Sequence, residues 1–191
     1  MKFIRTAIPD VIICAPKIVE DERGYFFESF RQDKLEAFLG FSLNFCQDNE
    51  SKSSFGVLRG LHYQLPPYSQ TKLVRVTEGR ILDIVVDIRK DSPTFGKHVS
   101  VALDAESKKQ LFVPKGFAHG FAVLSEFAVF TYKVDNYYSP DCDRGIAYND
   151  AELNIDWKLP VDKIQLSPKD LNQPAFSEAE YFESKINLYK K

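Results

Sequence analysis

The sequence predicts an all-β protein, a sandwich or barrel of short strands with short helices only at its periphery. Three observations predict it. Between residues 57 and 134, short alternating or β-branched runs follow one another with little between them. The gaps are filled by turn residues such as Glu78-Gly79-Arg80, Asp91-Ser92-Pro93 and Phe95-Gly96. Helical patterning is confined to two short stretches.

Taken in order, Val11-Ile12-Ile13-Cys14 is β-branched and stopped by Pro16, so it reads as a strand. Asp21-Glu22-Arg23-Gly24 is a turn, and residues 25–30 form the next strand. Asp33-Lys34-Leu35-Glu36 has the form of a capping box, opening a helix of one or two turns that ends at Gly40. Residues 41–48 return to extended chain. Residues 56–64 alternate and are hydrophobic, yet carry Arg59 and His62. In 71–78, Lys72, Val74 and Val76 share one face. In 80–89, Leu82, Ile84, Val86 and Ile88 share one face, with Asp83, Asp87 and Arg89 on the other. Residues 98–103, 110–113, 119–124 and 127–134 are further strands, and 177–185 reads as a helix. No repeat, low-complexity tract or linker interrupts the chain, so residues 1–191 are expected to form one domain.

Composition narrows the function classes. A chain of 191 residues, 44% of them hydrophobic, has ample material for one core. The net charge of −2 gives no reason to expect nucleic acid or a membrane surface as partner. No apolar run reaches membrane-spanning length, and the first ten residues do not resemble a leader. Cys14, Cys46 and Cys142 are odd in number and widely spaced, which reads as reduced thiols in a cytoplasmic protein.

Strand parity then isolates a set of polar groups. His62 lies on a face with Leu58, Gly60 and Gln64, and Lys72 on a face with Val74 and Val76. His119 goes with Phe121 and Val123, and Tyr132 with Ala128 and Phe130. Singly, a strand histidine or tyrosine is more often a hydrogen-bonded core residue, and Lys72 could snorkel from a strand end. Jointly that reading is strained, because a core rarely buries a lysine and two histidines without purpose. If these faces line a barrel, the four converge on a ligand site.

Two stretches have the spacing of cupin motifs. Gly56, five residues, then His62-Tyr63-Gln64 is similar to the first, with Gln64 in place of its second histidine and no following glutamate. Pro114-Lys115-Gly116-Phe117-Ala118-His119 is similar to the second, with Val123 where an asparagine belongs. Two histidines without a carboxylate make a poor first-row metal site. The expectation is a cupin-type jelly-roll barrel with no metal and no cofactor. Without metal, a histidine can remove a proton beside a carbonyl while a cation holds the charge that develops. Tyr132 could return a proton from another direction, inverting the carbon. The histidine would need a carboxylate to fix its tautomer, which spacing does not identify.

Over residues 8–176 the chain resembles the dTDP-4-dehydrorhamnose 3,5-epimerases, metal-free cupins. The resemblance is carried by Asp21-Glu22-Arg23-Gly24 with Phe27-Glu28, Gln47-Asp48-Asn49, Val57-Leu58-Arg59-Gly60-Leu61-His62 and Gln70-Thr71-Lys72-Leu73-Val74. It continues in Val113-Pro114-Lys115-Gly116-Phe117-Ala118-His119-Gly120-Phe121, Thr131-Tyr132-Lys133 and Leu166-Ser167-Pro168-Lys169-Asp170. The resemblance implies that His62 is the base at C3 and C5 of a dTDP-4-keto-6-deoxy sugar, with Asp170 as its dyad partner. It implies that Lys72 stabilises the enolate and that Tyr132 reprotonates from the opposite face. Arg23, Glu28, Gln47, Asn49, Arg59, His119 and Lys169 would contact substrate and nucleotide. Asp143 would also contact substrate, with a shorter reach, since it stands where the family usually has a glutamate, and Tyr148 stands where a tryptophan is common.

Parity places Arg59 on the opposite strand face from His62. A twist, a bulge or a second subunit would reconcile the two, and family members are homodimers that exchange strands. The rival readings are an epimerase that inverts C3 alone, a cupin 3,4-ketoisomerase, a non-catalytic sugar-binding cupin and a metal-dependent dioxygenase.

Overall fold

The computed structural model describes residues 1–183. In chain order the elements are β1 (Lys2–Arg5), β2 (Ile12–Ala15), β3 (Ile18–Asp21), β4 (Gly24–Phe27), α1 (Gln32–Leu39), β5 (Gln47–Ser54), β6 (Leu58–Gln64) and β7 (Lys72–Glu78). They continue with β8 (Arg80–Asp87), β9 (His98–Asp104), β10 (Gln110–Val113), β11 (Phe117–Val123), β12 (Phe127–Val134), β13 (Asp143–Gly145) and the single turn α2 (Pro168–Leu171). Two antiparallel sheets result, ordered β1-β2-β10-β7-β12-β5 and β13-β6-β11-β8-β9, with β3 and β4 forming a separate hairpin. This is the jelly roll the motifs predict.

Three apolar clusters explain why the strands fold this way. Between the sheets lie Val74, Val76, Ile81, Val85, Leu111, Phe121 and Phe130, contributed by both. Outside the five-stranded sheet, Leu58, Leu61, Leu82, Ile84 and Val86 are covered by Trp157, Phe176 and Phe182 from the C-terminal segment. Outside the six-stranded sheet, Ile12, Leu73 and Phe112 are covered by Leu35 and Leu43. The five-stranded sheet is therefore buried on both faces. Residues 81–87 of β8 are buried throughout, and Asp83 and Asp87 point between the sheets.

Strand β5 shows the opposite pattern. Its sequence, Gln47-Asp48-Asn49-Glu50-Ser51-Lys52-Ser53-Ser54, carries no apolar residue. It is the edge strand of its sheet, in continuous register with β12 from Gln47 opposite Val134 to Ser54 opposite Phe127. One face of β5 is solvated; the other lines a cavity.

Some sequence expectations are corrected. The strand expected over 25–30 stops at Phe27, and the extended chain expected over 41–48 becomes a strand only at Gln47. The capping box is not made: the cap is Arg31, which pairs with Asp33, while Glu36 accepts from the backbone N–H of Leu43. The helix does end at Gly40, whose φ of 79° suits a glycine. The helix expected over 177–185 is absent where described: 176–178 form a 3₁₀ turn and 179–183 are not helical. Tyr63 donates its hydroxyl to the Glu180 carbonyl, and Phe182 enters the outer cluster, which holds the chain open. Residues 184 and 185 lie outside the described residues.

The most consequential departure is in β6. Its register with β11 pairs His62 with His119 but Arg59 with Phe121. Two residues of β6, Gly60 and Leu61, thus oppose Gly120 alone, a β-bulge that reverses side-chain parity. Leu58 joins the outer cluster, and Arg59 turns to the same side as His62. Gly60 has φ 136°, and a Cβ there would lie 2.5 Å from Gly120 Cα. Only glycine fits that crossing.

Candidate active site

Between the sheets a cavity of about 380 Å³ is lined by Asn49, Glu50, Ser51, Arg59, His62, Lys72, His119, Phe121, Phe130, Tyr132, Ser167, Lys169 and Asp170. His62 and His119 stand on one wall, from β6 and β11. Lys72 and Tyr132 stand on the facing wall, from β7 and β12. The parity argument for convergence therefore holds, and the bulge adds Arg59.

His62 Nε2 lies 2.6 Å from Asp170 Oδ1. The Gly60 backbone N–H also favours the Asp170 anion. Asp170 sits in α2, where Ser167 caps the turn by accepting from the Asp170 N–H and donates its own hydroxyl to Asp170 Oδ2 at 2.6 Å. Burial alone would raise the Asp170 carboxyl. The contacts with His62 and Ser167 outweigh it and hold the group below the usual range, so it is an anion.

Lys72 is half-buried, with its ammonium 3.5 Å from the His62 carbonyl. Burial pushes its pKa down to about 8, and Asp83 and then Asp143 act against that shift. Tyr132 has its phenol pushed up, chiefly by burial, with Arg59 opposing. It therefore holds its proton as a donor. Arg59 gives two N–H groups, each at 3.2 Å, to the hydroxyl of Ser53 on β5.

The second histidine has a carboxylate that sequence reasoning missed. His119 Nε2 lies 2.9 and 3.0 Å from the two oxygens of Asp83, which is fully buried. Burial raises the Asp83 carboxyl, while His119 and Lys72 pull it back. Burial likewise lowers His119. The sequence carried no clear signal for it, because Asp83 alternates with Leu82 and Ile84 on the same face as Asp87 and Arg89, the pattern of a solvated strand face.

Four expected contacts lie elsewhere. Arg23 is 85% exposed at the tip of the β3–β4 hairpin and pairs with Asp21. Glu28 follows β4 and pairs with Arg31 and Lys34. Gln47 donates to Asn49 at the start of β5. Asp143, at the rim, accepts from Lys169 and from the Tyr138 hydroxyl. Its exposed partners make it a link between Lys169 and the 137–139 loop.

The cupin metal set does not fit here. Gln64 directs its amide to the carbonyls of Tyr68 and Tyr137 and accepts from the Ser139 N–H, so it ties two loops together. His62 and His119 each turn Nε2 to a carboxylate, and among the described residues no three donors gather as a metal requires.

Comparison with known proteins agrees with this geometry. The family model described as dTDP-4-dehydrorhamnose 3,5-epimerase matches residues 5–178. A dTDP-4-dehydrorhamnose 3,5-epimerase of Shigella flexneri is 56% identical, over 95% of this chain and 99% of its own. The crystal structure of a dTDP-6-deoxy-D-glucose-3,5-epimerase from Legionella pneumophila, in complex with dTDP-4-keto-L-rhamnose, superposes with a TM-score of 0.92 at 46% identity, covering 97% of this chain and 99% of that one. A 3′-monoepimerase from Streptomyces bikiniensis, in complex with dTDP-quinovose, gives 0.84 at 32% identity, covering 91% and 87%. This pair of facing walls, matched along almost the whole chain, leaves one assignment: the chain belongs to the dTDP-4-dehydrorhamnose 3,5-epimerase family.

Proposed function

We propose that this chain inverts C3 and C5 of dTDP-4-dehydro-6-deoxy-D-glucose through enolates. The observation that carries the reading is the placement of His62 and Tyr132 on opposite walls of one cavity, with Lys72 between the sheets beside them. His62, oriented by Asp170, takes the proton from C3. The electron pair moves toward O4, and the Lys72 ammonium holds the charge. Tyr132 delivers a proton to the other face of C3, and the configuration inverts. His62 then releases its proton to solvent, Tyr132 regains one from solvent, and the reset groups serve C5, so no atom is gained or lost overall. Arg59, fixed by Ser53, and Lys169 supply cations for the diphosphate, with His119 and Asn49 on the sugar side.

The active unit in this reading is a homodimer. The β3–β4 hairpin stands apart from both sheets with Phe26 71% exposed, and β5 is an open sheet edge. A second copy that laid its hairpin along that edge would cover both and carry Arg23 and Glu28 to the neighbouring cavity. The three cysteines are free thiols, which fits the expected cytoplasmic setting.

The test is proton NMR of dTDP-4-keto-6-deoxyglucose incubated with the protein in deuterium oxide. Deuterium at both C3 and C5 is expected, with the inverted product trapped by a 4-ketoreductase. The likeness to a 3′-monoepimerase supports a second reading, inversion at C3 alone. Deuterium only at C3 would select it, and no exchange at either carbon would leave a sugar-binding protein.

A further inference from the structure

Lys72 is the first residue of β7, paired with Val113 of β10 on one side and Val134 of β12 on the other. A strand end frays unless something beyond it holds the backbone, and a lysine there swings on a flexible stem. Here the backbone beyond the strand is held. Asp135, the residue after Val134, accepts the Thr71 N–H at Oδ1, 2.6 Å away, and gives its own N–H to the Thr71 carbonyl at 3.3 Å. Its other oxygen, Oδ2, lies 3.0 Å from the ammonium of Lys115, in the turn between β10 and β11. The pair is buried: the Asp135 side chain is 6% exposed and that of Lys115 16%, and Thr71 is fully buried. One residue further on, Gln70 donates its amide to the Asn136 carbonyl at 2.9 Å.

We propose that Asp135 and Lys115 are positioning residues, whose ion pair closes across the end of β7 and fixes where Lys72 enters the cavity. Three strands meet at this point. The carboxylate belongs to the chain leaving β12, the ammonium to the chain leaving β10, and the peptide they hold leads into β7. Tyr132 is paired with Val74 of β7 and shares the face of Lys72, so the tie also sets the spacing of the two groups. Neither Asp135 nor Lys115 lines the cavity, so they act on the chemistry through the strand they hold. A buried ion pair adds little stability over an apolar pair of the same size; what this one supplies is a single arrangement of three strand ends. Its effect on turnover rests on the epimerase reading; the tie itself does not.

The experiment compares Asp135→Ala with Asp135→Asn, which keeps an acceptor for the Thr71 N–H, in the full chain. Asp135→Ala is expected to lower kcat about tenfold or more with KM within about twofold, and Asp135→Asn should lose less. In a Lys72→Ala background, Asp135→Ala should cost no further activity, read as slow deuterium exchange at C3. An equal loss in both backgrounds would overturn the proposal, because Asp135 would then act on the fold and not through Lys72. Wild-type kcat in Asp135→Ala would overturn it too. A readout without substrate separates the tie from the reaction: NMR of ¹³Cε-labelled lysine, with the Lys72 signal assigned by its absence in Lys72→Arg. That signal should shift or broaden in Asp135→Ala and return in part in Asp135→Asn. An unmoved signal would overturn the proposal whether or not the protein turns over the sugar nucleotide. If Asp135→Ala does not fold, Lys115→Met, which releases one carboxylate oxygen and leaves the Thr71 bond, should move the same signal; a signal unchanged there would overturn it.

Discussion

His62 and His119 are direct cross-strand partners on β6 and β11, and each turns Nε2 to a buried carboxylate from a different element, Asp170 in α2 and Asp83 in β8. Two histidine–carboxylate pairs thus stand side by side on one wall, differing in exposure. The His62 side chain is 28% exposed and His119 6%. Only His62 opens far enough onto the cavity to exchange a proton with a bound sugar. His119 is walled in by Phe130, stacked 6.1 Å away.

In the proposed reading, removing His62 should therefore be far worse than disturbing the geometry of its partner. His62→Ala is expected to lower kcat by about 10²–10⁴-fold. Asp170→Asn should also lose activity through the wrong tautomer, with a melting temperature close to wild type. A matching loss of stability would recast Asp170 as a structural residue. Single-turnover rates and calorimetry on the two variants decide it.

Tyr132→Phe should separate deprotonation from inversion. Solvent deuterium exchange without net inversion is the expected outcome, because His62 can remove and return a proton on its own side. Wild-type turnover in this variant would show that another group is the acid.

The rate should fall as pH rises above about 8, where Lys72 loses its proton. The sign follows from the cause: burial lowers this pKa, so the cation persists below it and is lost above it. A kcat profile flat to pH 10 would exclude Lys72 as the charge that holds the enolate.

At the bulge, Gly60→Ala places a methyl group 2.5 Å from Gly120 Cα at a φ of 136°. The expected cost is about 2 kcal/mol or more. That corresponds to a fall in Tm of roughly 4 °C or more, read by calorimetry, with loss of activity as Arg59 shifts.

If Arg23 serves the neighbouring cavity, two inactive variants should complement each other. Arg23→Ala mixed in equal amounts with His62→Ala, after subunit exchange, should recover about a quarter of wild-type activity, since one site in four is then intact. No recovery, with exchange verified by mass, would place Arg23 outside the site.

Much of the site was legible because it breaks local rules. His62, Lys72 and Tyr132 are polar groups on apolar strand faces, and the parity that joins them is a property of each strand alone. Asp83 was not legible, because it lies opposite the apolar row of Leu82, Ile84 and Val86. Only the packing of Trp157 and Phe176 over that row shows that both faces are buried. For Arg59 parity alone left a twist, a bulge or a second subunit open, and the choice of the bulge rests on the crossing of Gly60 with Gly120, a contact between strands distant in sequence. Strand β5 hides for a different reason. Its inward side chains face a cavity and its outward ones face water, so nothing in it needs to be apolar.

The extra residue in β6 has a further consequence for how this protein can change. It divides one strand into two segments with independent phase. The segment after the bulge holds His62 in register with His119, and the segment before it presents Arg59. A shift in phase before Gly60 would re-aim Arg59 and leave the proton-transfer wall where it is. In the proposed reading, recognition of the nucleotide, which stays attached to the sugar throughout, and handling of the sugar's hydrogens are thus mechanically uncoupled, so that other nucleotides can be tried on a fixed chemical apparatus.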